Sequence, residues 1–358
     1  MVFVLSLCLF PSIVFATVLE VTQPVQVTDN SYYERGQAIV YDGSYYWLFY
    51  GRSATVTGNY QNDNPDVHDY QIYYKKATTV DGLASAAAMS VPGAANTYLG
   101  EIGAAVLDGK VWTFGAVPST NYTGRKSLYG WYSSDGGSTW TQVADLADDL
   151  PPGAAHHDET AFDGKLYIMA NYPDGNTGWY TKYTADPTAS TITWSSYIPL
   201  NSTSNLINGT GHFFVDGSNL HIGILRTSPT KDNKVLQYNA SPESWSELGT
   251  ASSTGWDATL FKAGSDYVFA QAPYTSDGGG RQYIIAWAGS SPSTVLGGSS
   301  HSVVEGRYGS NTWIDMWPIG FTDAAGTSYL FYTSEREDPD QEGTGNIWYL
   351  EVDWDVYG

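Results

Sequence analysis

Seven arginines flank short apolar segments of this chain: Arg35, Arg52, Arg125, Arg226, Arg281, Arg307 and Arg336. A guanidinium is a rigid fork of donors that grips a carboxylate through two hydrogen bonds, so arginines gathered in one place make an anion site. Arg35, Arg226 and Arg281 stand where a segment begins or ends, which fixes the backbone beneath them, and with Arg307 they are the expected ligand contacts. For Arg52 and Arg336, pairing with Glu34 or Glu337 is the plainer expectation.

Acids and imidazoles recur just ahead of the same segments: Glu101, the run His156-His157-Asp158-Glu159, His212, Asp257 and Asp315. The stretch NYQNDNPDVHD at 59–69 adds Asp63, Asp66, His68 and Asp69, and Glu335 follows the last segment. One carboxylic acid can protonate a leaving oxygen while a second carboxylate activates water or attacks, the separation of the two deciding inversion or retention. Asp66 or Asp69 suits the first role, and Asp257, Asp315 or Glu335 the second. An imidazole, His157 or His212, can instead remove a proton held next to a carboxylate. Trp256, Trp317, Trp313, Tyr274 and Tyr308 add flat apolar faces, which with a few convergent polar groups line sugar sites. No cofactor is expected; a zinc or calcium site would need the 156–159 run joined by His212 or Asp257, and the acidic stretch at 59–69 resembles a calcium loop although its spacing is not that of an EF-hand.

These residues are useful only if something brings them together, and the repeat pattern does. A short apolar strand, a Gly turn and a second aromatic strand recur six times, with turn glycines at 43, 109, 164, 217, 264 and 326, spaced by 47 to 66 residues. Asp-Gly between alternating apolar runs is a hairpin signal, because Gly accepts the positive φ of a tight primed turn. Six hairpins at blade-like spacing predict an all-β chain, a six-bladed β-propeller of four-stranded antiparallel blades. Residues 18–27 alternate without belonging to a hairpin, and are expected to complete the last blade as its outer strand. In such a ring the leading ends of the first strands share one mouth with the far ends of the second strands, where all seven arginines fall. Alternation sends His157 and Glu159 to one side and His156 and Asp158 to the other, so half of that run is expected to face the funnel.

The chain has a formal charge of −21 with only 15% charged residues and 15% aromatics. Disorder is excluded by the aromatic content, and nucleic acid and membrane surfaces by the charge. Residues 2–15 are an uncharged apolar run too short to span a bilayer and end before Ala16, so residues 1–16 read as a signal peptide. The expected product is a single domain, 17–358, secreted or at the cell surface and monomeric. The lone Cys8 falls in the leader, which leaves packing rather than disulfides to hold the fold.

The stretch Ser133-Ser134-Asp135-Gly136-Gly137-Ser138-Thr139-Trp140 resembles the Asp-box, Ser-x-Asp-x-Gly-x-x-Trp, of the sialidases and their BNR-repeat relatives, with fainter echoes at 76–83, 239–245 and 288–295. The resemblance implies the propeller fold and a site for an acidic sugar. It sets Arg35 as the first carboxylate-binding arginine, Arg226 and Arg281 as the second and third, the 63–69 stretch as the source of the general acid, and Glu335 as the Glu of the final blade. Two positions depart from that pattern. The nucleophilic Tyr is not found in WIDMWP at 313–318, and His212 stands where its partner Glu is expected. The resulting expectation is an exported glycoside hydrolase acting on an acidic glycan or polysaccharide. A lyase acting on uronate-containing glycan and a non-catalytic glycan-binding surface protein are the alternatives.

Overall fold

The computed structural model describes residues 17–29, 32–53, 70–95, 97, 102–119, 126–150, 156–171, 178–200, 211–226, 232–252, 255–273, 284–304, 307–308, 311–312, 315–334 and 345–356. Residues 1–16, expected to be a signal peptide, lie outside them. All six turn glycines take positive φ, and Asp108 and Asp163 beside two of them do as well, which is the backbone a two-residue primed hairpin needs. Each hairpin seeds one antiparallel sheet of four strands, and six sheets form a six-bladed β-propeller. The innermost strands are Glu34–Tyr41, Ile102–Leu107, His157–Phe162, Gly211–Asp216, Gly255–Ala263 and Asp315–Thr322, numbered here as blades 1 to 6. In blade 6, Asn346–Val356 pairs on its outer side with Thr17–Val21, and also with Val25–Gln26. A small hairpin, Arg307–Tyr308 against Asn311–Thr312, lies in the connection from blade 5 to blade 6.

Apolar side chains on both faces of each sheet, rather than on one, are what stack blades in a ring. The second strands show this best: Ser328–Ser334 is buried at every position and Tyr46–Ser53 at all but one. Among the described residues six apolar clusters lie one at each blade junction, for example Trp47, Phe49, Ile72 and Tyr74 of blade 1 against Ile102, Ala104 and Trp131 of blade 2. Aromatic burial of this kind contributes roughly 2–3 kcal/mol per side chain, the main term holding a chain with no disulfide in its folded part.

The turn after the third strand of blade 2 is tied from within. Ser133 Oγ donates to Asp135 Oδ1 at 2.8 Å and accepts from the Gly137 amide at 2.8 Å, while the Thr139 amide and hydroxyl donate to the Asp135 carboxylate at 2.9 and 2.7 Å. These donors, led by the Thr139 hydroxyl, hold the Asp135 carboxyl down at about 2. The turn delivers Trp140 edge-on to Trp47 and Phe49 of blade 1, and Lys76 of blade 1 donates to the Gly136 carbonyl at 2.7 Å. Blade 4 repeats the device more loosely, with Trp245 donating to Thr181 Oγ1 of blade 3 at 2.8 Å.

Candidate functional site

The strand order places the leading ends of the inner strands and the far ends of the second strands at one end of the ring. Three inner strands break register there, between Arg35 and Ala38, Gly255 and Asp257, and Met316 and Ile319. A bulge re-aims side chains at the cost of a ladder bond and is common beside active sites. In two of them a residue adopts positive φ, Gly36 at 64° and Trp317 at 50°. For Trp317 the left-handed backbone is strained, by about 1–3 kcal/mol, and its surroundings hold it in place. Its amide donates to Asp257 Oδ2 at 3.4 Å, its carbonyl accepts from Gln37 Nε2, and Thr333 Oγ1 donates to Gln37 Oε1 at 3.1 Å. Its ring stacks over the Arg35 guanidinium, 4.0 Å from ring centre to Cζ.

Around this point opens a small cavity lined by residues of five blades, among them Gln37, Ile102, His156, His157, His212 and Trp317. His156 stacks on Trp179, which also lines the cavity. His157 Nδ1 lies 3.0 and 3.2 Å from the two oxygens of Glu159, both side chains being fully buried. Burial pushes the Glu159 carboxyl up, and the charge and hydrogen bond of His157 act against that rise. His212 Nδ1 lies 3.2 Å from Asp158 Oδ1, whose other oxygen accepts the Phe213 amide at 2.6 Å. An imidazole whose Nδ1 faces a carboxylate is held in one orientation.

The run in blade 3 divides as alternation predicts, with His157 and Glu159 on one side and Asp158 on the other, but the two sides do not look where expected. The two faces of an inner strand look at the two neighbouring blades, not at the funnel and away from it. Glu159 faces blade 2, where a Cβ on Gly103 would stand 1.7 Å from Glu159 Oε2, so only glycine leaves room for the carboxylate. Asp158 faces blade 4 and holds His212. His157 and His212 both line the cavity because each lies at the leading end of an inner strand, although the His157 side chain itself is fully buried.

Of the other expected site residues, Arg35 is 5% exposed beneath Trp317, and Asp257 is 1% exposed and bound to the Trp317 amide. Arg226, Trp256, Arg307 and Asp315 belong to described strands by backbone alone: Arg226 ends a second strand, Trp256 and Asp315 lie in the leading parts of inner strands, and Arg307 is in the small hairpin. Asp66, Asp69, Arg281 and Glu335 lie outside the described residues, as do Arg336 and the rest of the 59–69 stretch. Arg52 does pair with Glu34, at 2.7 Å, but the pair is internal: Glu34 is fully buried and Tyr73 lies 4.2 Å from the Arg52 guanidinium. Gln37, Gly103 and Trp179 were not singled out by sequence. Gln37 carried a usable signal, a lone amide in the apolar run of its strand. Among the described residues no group of three or more His, Cys, Asp or Glu is arranged to hold a metal ion.

No protein-family model and no curated protein matches the sequence of the chain. Its structure is similar to that of a protein of unknown function from Dyadobacter fermentans, with a TM-score of 0.64 at 11% identity over 94% of this chain and 99% of that one. It is also similar to a Hadza microbial sialidase, TM-score 0.60 at 12% identity over 90% of this chain and 66% of that one. The sialidase of Trypanosoma rangeli, solved in complex with the inhibitor DANA, matches with a TM-score of 0.56 at 11% identity over 89% of this chain. The chain spans 55% of the length of that sialidase chain. The ring of six blades is accordingly a sialidase-like β-propeller.

Proposed function

We propose that the chain is an exported carbohydrate-active enzyme, a glycoside hydrolase that cleaves an acidic glycan in the cavity at the propeller mouth. The observation that carries this reading is the meeting of five blades at that cavity, whose lining includes His212, held by Asp158, and Trp317, stacked on Arg35. Such a mixture of aromatic faces and oriented polar groups suits a sugar, and arginines at the mouth suit its carboxylate. The Ser133 to Trp140 turn, read as an Asp-box, and the apolar leader at 2–15 support the same reading of fold and export. In this reading Asp66 or Asp69 is the acid, Asp257 sets the Trp317 backbone, and Asp315 or Glu335 supplies the second carboxylate.

Elimination is the second reading, favoured by His212, whose Nδ1 is fixed by Asp158 while the ring lines the cavity. An imidazole so held can take the proton next to a uronate carboxylate as the glycosidic oxygen leaves. The two readings separate by product. Purified full chain is incubated with 4-methylumbelliferyl N-acetylneuraminide, polygalacturonate and a neutral glucan. Hydrolysis releases fluorophore or new reducing ends without ultraviolet absorbance, whereas elimination produces an absorbing unsaturated sugar. Activity confined to the neutral glucan removes the acidic-glycan assignment, and retention of glycan on immobilised protein with no product identifies a binder.

A further inference from the structure

The stacked rings of Trp47 and Phe49 in the second strand of blade 1 have a counterpart in blade 2, Trp112 and Phe114. The two indoles end in different surroundings. Trp47 Nε1 donates to Asp42 Oδ2 at 2.7 Å, and the Ser133 to Trp140 turn of blade 2 closes over its ring, where a Cβ on Gly137 would stand 3.1 Å away. Trp112 Nε1 is buried and has no hydrogen-bond partner among the described residues. Asp108 holds the place of Asp42 in an Asp-Gly turn, but its backbone is left-handed at φ 51° and it makes no such bond. Trp131 shares the lack of a partner inside the packed first junction, whereas Trp112 borders a cleft. That cleft lies between blades 2 and 3, with Asp108, Lys110 and Trp112 on one side and Asp186, Pro187 and Thr188 on the other. Both segments stand at the hairpin-turn end of the ring, opposite the mouth. The blade 3 turn starts as the blade 2 turn does: Thr184 Oγ1 accepts the Asp186 amide at 3.3 Å, as Ser133 Oγ accepts that of Asp135 at 3.4 Å. Trp194 comes later in this turn than Trp140 does in the other, and no glycine pair closes over Trp112. Asp186 Oδ1 accepts the Thr188 amide and hydroxyl at 3.0 and 2.8 Å, which fixes the carboxylate at the rim. Lys110 lies 5.7 Å from the centre of the Tyr132 ring and is in ion-pair contact with neither aspartate.

We propose that this cleft is a non-catalytic binding site for one uncharged sugar residue, separate from the cavity at the mouth. Lys110 and Trp112 supply donors, Asp108 and Asp186 supply acceptors, and Pro187 offers an apolar face to C–H groups. A sugar hydroxyl both donates and accepts, so a single ring can serve both kinds of group at once. The two carboxylates oppose an anion, and the Lys110 ammonium opposes a metal ion. A buried indole N–H left unmet costs free energy, and an entering hydroxyl removes that cost. Such a hold at the far end tethers the ring to a glycan surface by raising the local concentration of chain, whichever reaction the mouth performs. The inference therefore does not rest on the assignment of the mouth.

The test uses full chain labelled with ¹⁵N at tryptophan, with the indole signals of Trp112 and Trp317 assigned through the backbone, so that neither buried ring need be replaced. Maltotriose, cellotriose, mannotriose and lactose are titrated separately, followed by N-acetylneuraminate and calcium chloride. At least one neutral sugar should move the Trp112 indole signal along a saturation curve, while the acidic sugar and the calcium salt leave it in place. Lys110→Met removes a donor and Asp108→Asn an acceptor, the latter with a residue that tolerates the left-handed turn. Each should weaken that binding about tenfold, and unchanged affinity in both overturns the site. A sugar that moves Trp317 and not Trp112 binds at the mouth, which overturns the far-end site and leaves the reading of the mouth intact. A response of Trp112 to N-acetylneuraminate or to calcium chloride overturns the assignment to an uncharged sugar. Silence of Trp112 towards all four sugars leaves its N–H to a buried water and overturns the proposal.

Discussion

The guanidinium of Arg35 lies 4.0 Å from the centre of the Trp317 ring, a contact that joins the first blade to the sixth. The Trp317 amide is meanwhile anchored by Asp257 of the fifth blade and its carbonyl by Gln37 of the first. One residue in a strained backbone conformation therefore collects three blades at the cavity edge. Removing its ring in Trp317→Ala leaves a void and keeps the strain, and should cost about 3–5 kcal/mol. A urea melt measures this directly. A midpoint equal to that of wild type would show the stacked pair to be incidental.

Glu159 occupies space that exists because residue 103 has no side chain. Gly103→Ala should destabilise by about 3 kcal/mol, in the upper part of the usual range, because a buried carboxyl must be displaced. The same substitution made in a Glu159→Ala background meets no carboxyl. The double-mutant cycle should therefore return about 1–3 kcal/mol of coupling. Additive effects would mean that the crowding at Gly103 comes from elsewhere.

Asp135 provides a test by acid. Its carboxyl is held at about 2 in the fold, below the ordinary value near 4 of an unfolded chain. A depressed carboxyl contributes stability that is fully present above about pH 4 and is lost as the pH falls towards 2. Asp135→Asn should flatten stability over that window and leave it parallel to wild type above it. Thermal melts between these two pH values compare the slopes, and equal slopes would exclude the turn as an acid-labile point.

His221 gives the opposite end of the scale. Burial pushes its imidazole below the ordinary range, opposed by the Asp216 charge and a backbone hydrogen bond to Leu236. A histidine kept neutral by the fold resists the proton that the unfolded chain accepts readily, so stability is full above about pH 6.5 and declines as the pH drops below it. His221→Phe, which preserves the stacking on Phe214, should soften that decline. Melting temperatures recorded from neutral to mildly acidic pH decide the matter, and a variant falling as steeply as wild type would acquit His221.

The blades were legible in the sequence because each depends on a local signal. An Asp-Gly turn needs only its own backbone, and all six glycines at the turns have the positive φ that the pattern requires. The positions of Arg35, His157, His212, Asp257 and Trp317 at strand beginnings followed from the same counting. Their partners did not follow. Asp158 meets His212 across a blade boundary, and Trp317 meets Arg35 only because a bulge between Met316 and Ile319 turns it inward. Neither inter-blade docking nor a one-residue slip in register leaves a mark in alternation, and so the sequence carried the candidates without their pairing. Arg52 shows the converse. Its pairing with Glu34 was legible, but the burial of that pair under Tyr73 depends on tertiary stacking.

Consecutive residues of the third inner strand face opposite neighbours, Glu159 towards blade 2 and Asp158 towards blade 4. Each spoke of the wheel has, in effect, a left and a right hand. Damage at one position should travel clockwise and damage at the next anticlockwise, so that second-site suppressors of the two cluster in different halves of the circle. Evolution working on such a wheel can retune one quadrant of the opening while the adjoining quadrant keeps its settings.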